Sequence, residues 1–175
     1  MKMLTVCALL CAFMVLTGAA AFPGASVGKG RKGQTEEHPV VKGSVAFDDC
    51  PPKSGKTCLI FVPKAMSWAD AEKHCQSLGA NLASIHNVHE YHRIQHQILK
   101  KTHEQNEAWV GGSDAQQERS WFWSDGTRFT YNNWCSGEPN DTNSQHCLQI
   151  NYSVKKCWDD VQCKRKRPSV CGKKS

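Results

Sequence analysis

Between Asn133 and Cys163 the chain gathers Cys135, Cys147, Cys157 and Cys163, the carboxylates of Glu138, Asp159 and Asp160, and several side-chain amides around one proline, Pro139. Hard oxygen donors are thereby concentrated in a segment that disulfides can pin. Calcium requires such a set: it takes roughly six to eight oxygens at about 2.3–2.6 Å from Asp, Glu, Asn, Gln, carbonyls and water. An ion with ligand positions to spare can also hold two hydroxyls of a sugar. The segment therefore reads as a working surface, and the rest of the chain as the scaffold that positions it.

The cysteines have a compartment to match. Lys2, the apolar stretch from Met3 to Leu16 and the small residues before Phe22 make a secretory signal over 1–21, cut after Ala20 or Ala21. Its apolar stretch is short for a membrane span. Of the ten cysteines, Cys7 and Cys11 leave with the signal, and the eight that remain, at positions 50, 58, 75, 135, 147, 157, 163 and 171, read as four disulfides of a secreted protein. Sequence spacing alone does not choose their pairing, and zinc-type Cys-x-x-Cys pairs are absent.

Residues 22–49 are rich in Gly, Lys and Glu and poor in apolar side chains, as in a flexible leader or propeptide, with Arg31-Lys32 as a candidate processing site. Lys and Arg number 22 against 16 Asp and Glu, a formal net charge of +6 that becomes +5 once Lys2 is removed. Part of the excess lies in Lys164-Arg165-Lys166-Arg167 with Lys173 and Lys174, which could draw anionic surfaces such as bacterial envelopes or sulfated glycans, or simply form a solvated basic edge. An export signal argues against nucleic acid as the partner.

Pro51-Pro52 and Ser54-Gly55 supply the turn of a hairpin whose second strand is Leu59–Val62. Ser67, with Asp70 three residues on, caps a helix carrying Trp68, Ala71, Cys75 and Leu78 on one face, and Gly79 stops it. Asn81–Ile85 alternates into a strand or tight loop. Asn87 with Glu90 opens a second helix striped by Val88, Tyr91, Ile94 and Ile98. Beyond Ala108, strand candidates are Trp109–Gly112, Trp121–Trp123, Cys147–Tyr152 and Ser169–Cys171. Two helices followed by several strands predict an α+β domain. The polar loop from Trp134 to Cys147 is long for a compact domain, and such loops tend to be functional.

Catalytic signatures are missing. The chain has no Gly-x-Ser-x-Gly elbow and no phosphate-binding glycine loop, and its cysteines are committed to bridges, so we expect no enzyme. Six of the eight histidines lie between His74 and His103, and His89, His92 and His96 share a face of the second helix. Their three- and four-residue spacing suits Zn²⁺, or alternatively a solvated face that charges in mild acid.

Several short motifs in a fixed order now carry a family resemblance: Gly79-Ala80-Asn81-Leu82-Ala83-Ser84-Ile85, Trp109-Val110-Gly111-Gly112, Trp123-Ser124-Asp125-Gly126, Glu138-Pro139-Asn140 and Cys157-Trp158-Asp159-Asp160 before Cys163. Together with the cysteines, this order resembles the C-type lectin-like domain, over residues 50–173, and within it secreted fish lectins and type II antifreeze proteins. The resemblance implies two helices, small antiparallel sheets and a long irregular ligand-binding loop, stapled by Cys75–Cys171, Cys147–Cys163, Cys50–Cys58 and Cys135–Cys157.

It also implies a site. By analogy the principal Ca²⁺ is held by Glu138, Asn140, Gln145, Asp159 and Asp160, with the Glu138–Pro139 bond cis, and the same residues hold the sugar. Gln145 stands where Glu is usual and Asp159 where Asn is usual. An amide gives one neutral oxygen, so the expected affinity is weak, near the roughly 0.1–1 mM range of extracellular modules. Asp114, Glu118 and Asp141 fall where some members bind a second Ca²⁺, with His146 replacing a polar or acidic neighbour. Glu-Pro-Asn implies mannose-type sugars, galactose or lactose being the alternative, because side chains around the ion fix which hydroxyl donates and which accepts. The partners implied are microbial surface glycans, bound by a homodimer or larger assembly if the protein agglutinates cells. Ice binding on the same domain is the competing function. Asn140-Asp141-Thr142 and Asn151-Tyr152-Ser153 are also glycosylation sequons.

Overall fold

The computed structural model describes Gly55 and residues 57–174. The expected signal over 1–21, the expected leader over 22–49 and Cys50, with the expected Cys50–Cys58 pair and turn at Pro51-Pro52, lie outside the described residues.

Among the described residues nine elements follow one another: β1 (Cys58–Met66), α1 (Trp68–Ser77), β2 (Asn81–Leu82), α2 (Val88–Thr102), β3 (Ala108–Ser113), β4 (Phe122–Trp123), β5 (Cys147–Tyr152), β6 (Cys157–Val161) and β7 (Arg167–Lys173). Both helix starts form as the caps predict. Ser67 Oγ accepts from Asp70 N, and Asn87 Oδ1 accepts from Glu90 N, each satisfying a donor the helix itself leaves open. The stripe of α2 differs at two positions: Val88, at its start, is exposed, and Gln95, in its middle, is buried with Tyr91, Ile94 and Ile98.

The strands join in the order β1-β7-β3-β5-β6, with β2 on β7 and β4 on β3. The small antiparallel pairings expected from the resemblance are thus linked into one sheet, and a single parallel register, Trp109 to Ser169, makes the link. Strand β6 has no precedent among the strand candidates: Asp159-Asp160 speaks against strand by propensity, and pairing with β5 overrides it.

Side chains alternate across this sheet. Phe61, Ala108, Val110, Leu148, Ile150, Trp158 and Val170 pack with Tyr91, Ile94 and Ile98 of α2 in one cluster. Ile60, Val62, Trp109, Cys147, Val161 and Cys171 pack with Ala71 and Cys75 of α1 in the other. Strand β3 is buried throughout. Its glycines are required by close approach: a Cβ on Gly111 would meet Leu82 O at 2.8 Å, and one on Gly112 would meet Leu148 Cδ1 at 2.8 Å.

A buried carboxylate ties α1 to the sheet. Glu72 accepts from Gln76 Nε2, Asn81 Nδ2, Leu82 N and Ser124 Oγ, four donors that stand in for a counter-ion. Cys75–Cys171 joins α1 to β7, Cys147–Cys163 joins the start of β5 to the turn after β6, and Cys135–Cys157 closes the segment before the long loop onto β6.

Candidate metal and sugar site

Strand β6 supplies two carboxylates and the long loop a third. Antiparallel register sets Leu148 opposite Asp160 and Gln149 opposite Asp159. Glu138 comes from the loop, where the Glu138–Pro139 peptide is cis and Glu138 N donates to Cys135 O. Carboxylate oxygens of Glu138, Asp159 and Asp160 lie within 4.8 Å of one another.

Asp160 is the anchor of the loop. It is 1% exposed, and its two oxygens accept from Asn140 N at 3.0 Å and Asp141 N at 2.8 Å. Asn140 therefore meets the cluster through its backbone, while its own Oδ1 turns to accept from Thr142 N. Asp141 Oδ1 in turn accepts from Gln145 N. Left-handed backbone at Gly137, Asp141, Asn143 and Ser144 coils the segment tightly, at residue types that include the Asn and Asp best suited to it.

One buried atom of the cluster, Glu138 Oε2, has no hydrogen-bond partner, and neither does the buried Gln145 Oε1 of the same loop. Buried oxygens without donors are costly and rare, and a cation is the natural partner for a set of them. The charges repel in its absence. Burial, followed by the Asp159 charge, pushes the Glu138 carboxyl up to about 7. Burial likewise raises Asp159 to about 6, with Asp160 and Glu107 adding to the rise and the Gln149 donor opposing it. The donor set, all oxygen and mostly anionic, fits Ca²⁺.

A second line of residues stands behind the cluster, and the sequence reading missed it. Gln149 Nε2 donates to Asp159 Oδ2 at 2.7 Å, Arg167 Nε donates to Gln149 Oε1 at 2.8 Å, and Arg167 pairs with Glu107 at 2.9 Å. The signal available was Gln149, a polar side chain between Leu148 and Ile150 in β5.

The residues expected at a second ion also converge, but on a side chain. His146 Nδ1 lies 3.2 Å from Asp114, 3.5 Å from Glu118 and 3.8 Å from Asp141. Asp114 is 2% exposed and also accepts from Arg119 N. The imidazole thus points its nitrogen where the three carboxylates meet, and burial with the neighbouring Asp114 and Asp141 charges holds Glu118 above the usual carboxylate range.

His89, His92 and His96 are exposed on α2 and belong to neither of the two groups of converging ligand atoms found among the described residues. The sequons differ. Asn151 is buried and its Nδ2 donates to Asn106 O, whereas Asn140 is exposed.

The Lectin C-type domain family matches residues 64–173. This chain belongs to that family. As a C-type lectin domain it is 40% identical to ladderlectin of Oncorhynchus mykiss, over 97% of this chain and 92% of that protein. It is 42% identical to the galactose-specific lectin nattectin of Thalassophryne nattereri, over 68% of this chain and 75% of the relative. A solved Ca²⁺-dependent type II antifreeze protein, in its Ca²⁺-free form, superposes with a TM-score of 0.65 at 38% identity, covering 71% of this chain and 99% of that one. C-type lectin domains commonly bind Ca²⁺, and the acidic cluster of Glu138, Asp159 and Asp160 is suited to it. Among the described residues, no helix is long and apolar enough to cross a membrane.

Proposed function

We propose that this chain is a secreted, calcium-dependent carbohydrate-binding lectin. Glu138, Gln145, Asp159 and Asp160, with Asn140, hold Ca²⁺, and the open positions of the ion take two vicinal hydroxyls of a mannose-type sugar. The observation that carries the reading is the convergence of the Glu138, Asp159 and Asp160 carboxylates, with the buried Glu138 Oε2 left without a hydrogen-bond partner. Binding, orientation and exclusion of water are the work of this site, and no step of covalent chemistry is asked of it. Its biological use is recognition of microbial surface glycans, and agglutination requires two or more domains held together.

Galactose or lactose is the alternative sugar, favoured by the nattectin relationship. Ice binding is the alternative function, favoured by the likeness to a type II antifreeze protein. Mannose and galactose columns, each run with calcium and with EDTA beside an ice-recrystallisation assay, separate these readings. We expect retention on the mannose column, released by EDTA. Ice inhibition without retention on either sugar would overturn the proposal. Sedimentation with only monomer present would remove agglutination from it.

A further inference from the structure

The basic run at 164–167 divides in two. Arg167 turns inward to Gln149 and Glu107, whereas Lys164, Arg165 and Lys166 stand exposed in the turn between β6 and β7. None of these three is in an ion pair among the described residues. Lys173 and Lys174 are not part of this group: they lie at the far end of β7, a strand length of about 20 Å away, and Lys174 pairs with Asp125.

The exposed turn is held against the long loop. Cys163, directly before Lys164, is bonded to Cys147, two residues after Gln145, with 5.1 Å between their Cα atoms. Consecutive Cα atoms are about 3.8 Å apart, so Lys164 Cα lies within about 17 Å of Gln145 Cα along this covalent path. Gln162 closes the gap from the other side. Its Nε2 donates to Asn143 O at 3.5 Å, in the middle of the loop, and its Oε1 accepts from Arg165 Nε at 3.2 Å.

Resting on the calcium-dependent sugar binding proposed above, we infer that the saccharide recognised here carries an anionic ester, sulfate or phosphate, which Lys164, Arg165 and Lys166 receive while a neighbouring sugar residue sits on the ion. The span is one that a short oligosaccharide covers. Each exposed cation alone contributes little, and salt screens it beyond about 10 Å at 0.1 M. Three adjacent cations set a field that draws anions, and the disulfide that ties their turn to the loop lets two weak contacts act on one ligand. Arg167 is excluded from this role by its inward partners.

The test uses mannan and galactan polymers in neutral, sulfate-esterified and phosphate-esterified forms, with the mature protein and the K164Q/R165Q/K166Q variant. For the polymer that is bound in calcium, we expect at least one esterified form to bind roughly ten-fold tighter than the neutral form at low salt, by a contact that raised salt weakens. The comparison between sulfate and phosphate arms identifies the ester. The triple variant should lose that advantage and keep its affinity for the neutral polymer and its calcium titration. Equal binding of neutral and esterified forms overturns the inference, as does esterified binding that persists undiminished in EDTA, which is attraction by charge alone. A variant that loses neutral binding in equal measure also overturns it, because the turn then supports the loop rather than the ligand. If no polymer is bound in calcium, the underlying lectin reading fails and this inference goes with it.

Discussion

In the proposed site one carboxylate, that of Asp160, serves both the loop and the ion. Both oxygens receive loop amides, and both have lone pairs left to face an ion. Asp160→Asn replaces one acceptor by an N–H donor aimed at a backbone N–H, at a cost of about 1–3 kcal/mol. We expect calorimetry to show no heat on calcium addition to this variant, and hydrogen exchange to quicken at Asn140 and Asp141. The raised carboxyls give a second expectation. With Glu138 near 7 and Asp159 near 6 in the ion-free protein, calcium must displace protons. Calcium affinity should therefore fall as pH drops from 7 to 5, and calorimetry in buffers of different ionisation enthalpy should register proton release. Stability without calcium runs the other way. Carboxyls raised on folding contribute stability that is present below their unfolded values and is lost as pH rises through 6 and 7, so this cluster lowers the ion-free melting temperature at pH 8 relative to pH 5, and calcium offsets the loss.

Strands β5, β6 and β7 act together through Gln149 and Arg167. Gln149 occupies one oxygen of Asp159 and so fixes the plane of that carboxylate, while Arg167 fixes the glutamine. Partners of this kind behind a metal ligand typically alter affinity by about 10–100-fold. Arg167→Met should weaken calcium within that range while leaving the far-ultraviolet circular dichroism unchanged. An unaltered calcium titration would show Arg167 to be a structural pair for Glu107 only. The helices were legible in the sequence because Ser67 and Asn87 announce them within four residues. Strand β6 was not, since Trp158-Asp159-Asp160 acquires its conformation from β5 rather than from its own preferences. Neither the four donors on Glu72 nor the line from Asp159 to Arg167 could be read, because each joins residues far apart in sequence through contacts that depend on strand register.

Over the whole molecule, the Cys75–Cys171 bridge spans 96 residues and closes most of the described chain, from the end of α1 to β7. In the chain-entropy account such a closure is worth about 4–5 kcal/mol, and measured values are often smaller. The double variant C75S/C171S should therefore melt well below the parent protein, by differential scanning calorimetry, with calcium recovering part of the difference if the ion binds only the folded form. The general architecture followed from order and motif, as did the pairing of the later cysteines by resemblance. What the sequence left open was the meeting of Asp114, Glu118 and Asp141 around His146, whose imidazole enters the space where the resemblance placed an ion.

Neither apolar cluster draws any residue from positions 136–146. The loop is held at its ends by Cys135 and Cys147 and in its middle by hydrogen bonds to Asp160, so its side chains are not held in place by the apolar interior. Evolution could then rewrite this stretch as a cassette, changing what the surface recognises without renegotiating how the chain folds. Exchanging it for the equivalent stretch of a relative with a different ligand, while Asp160 is kept, should transfer the binding preference and move the melting temperature by only a few degrees.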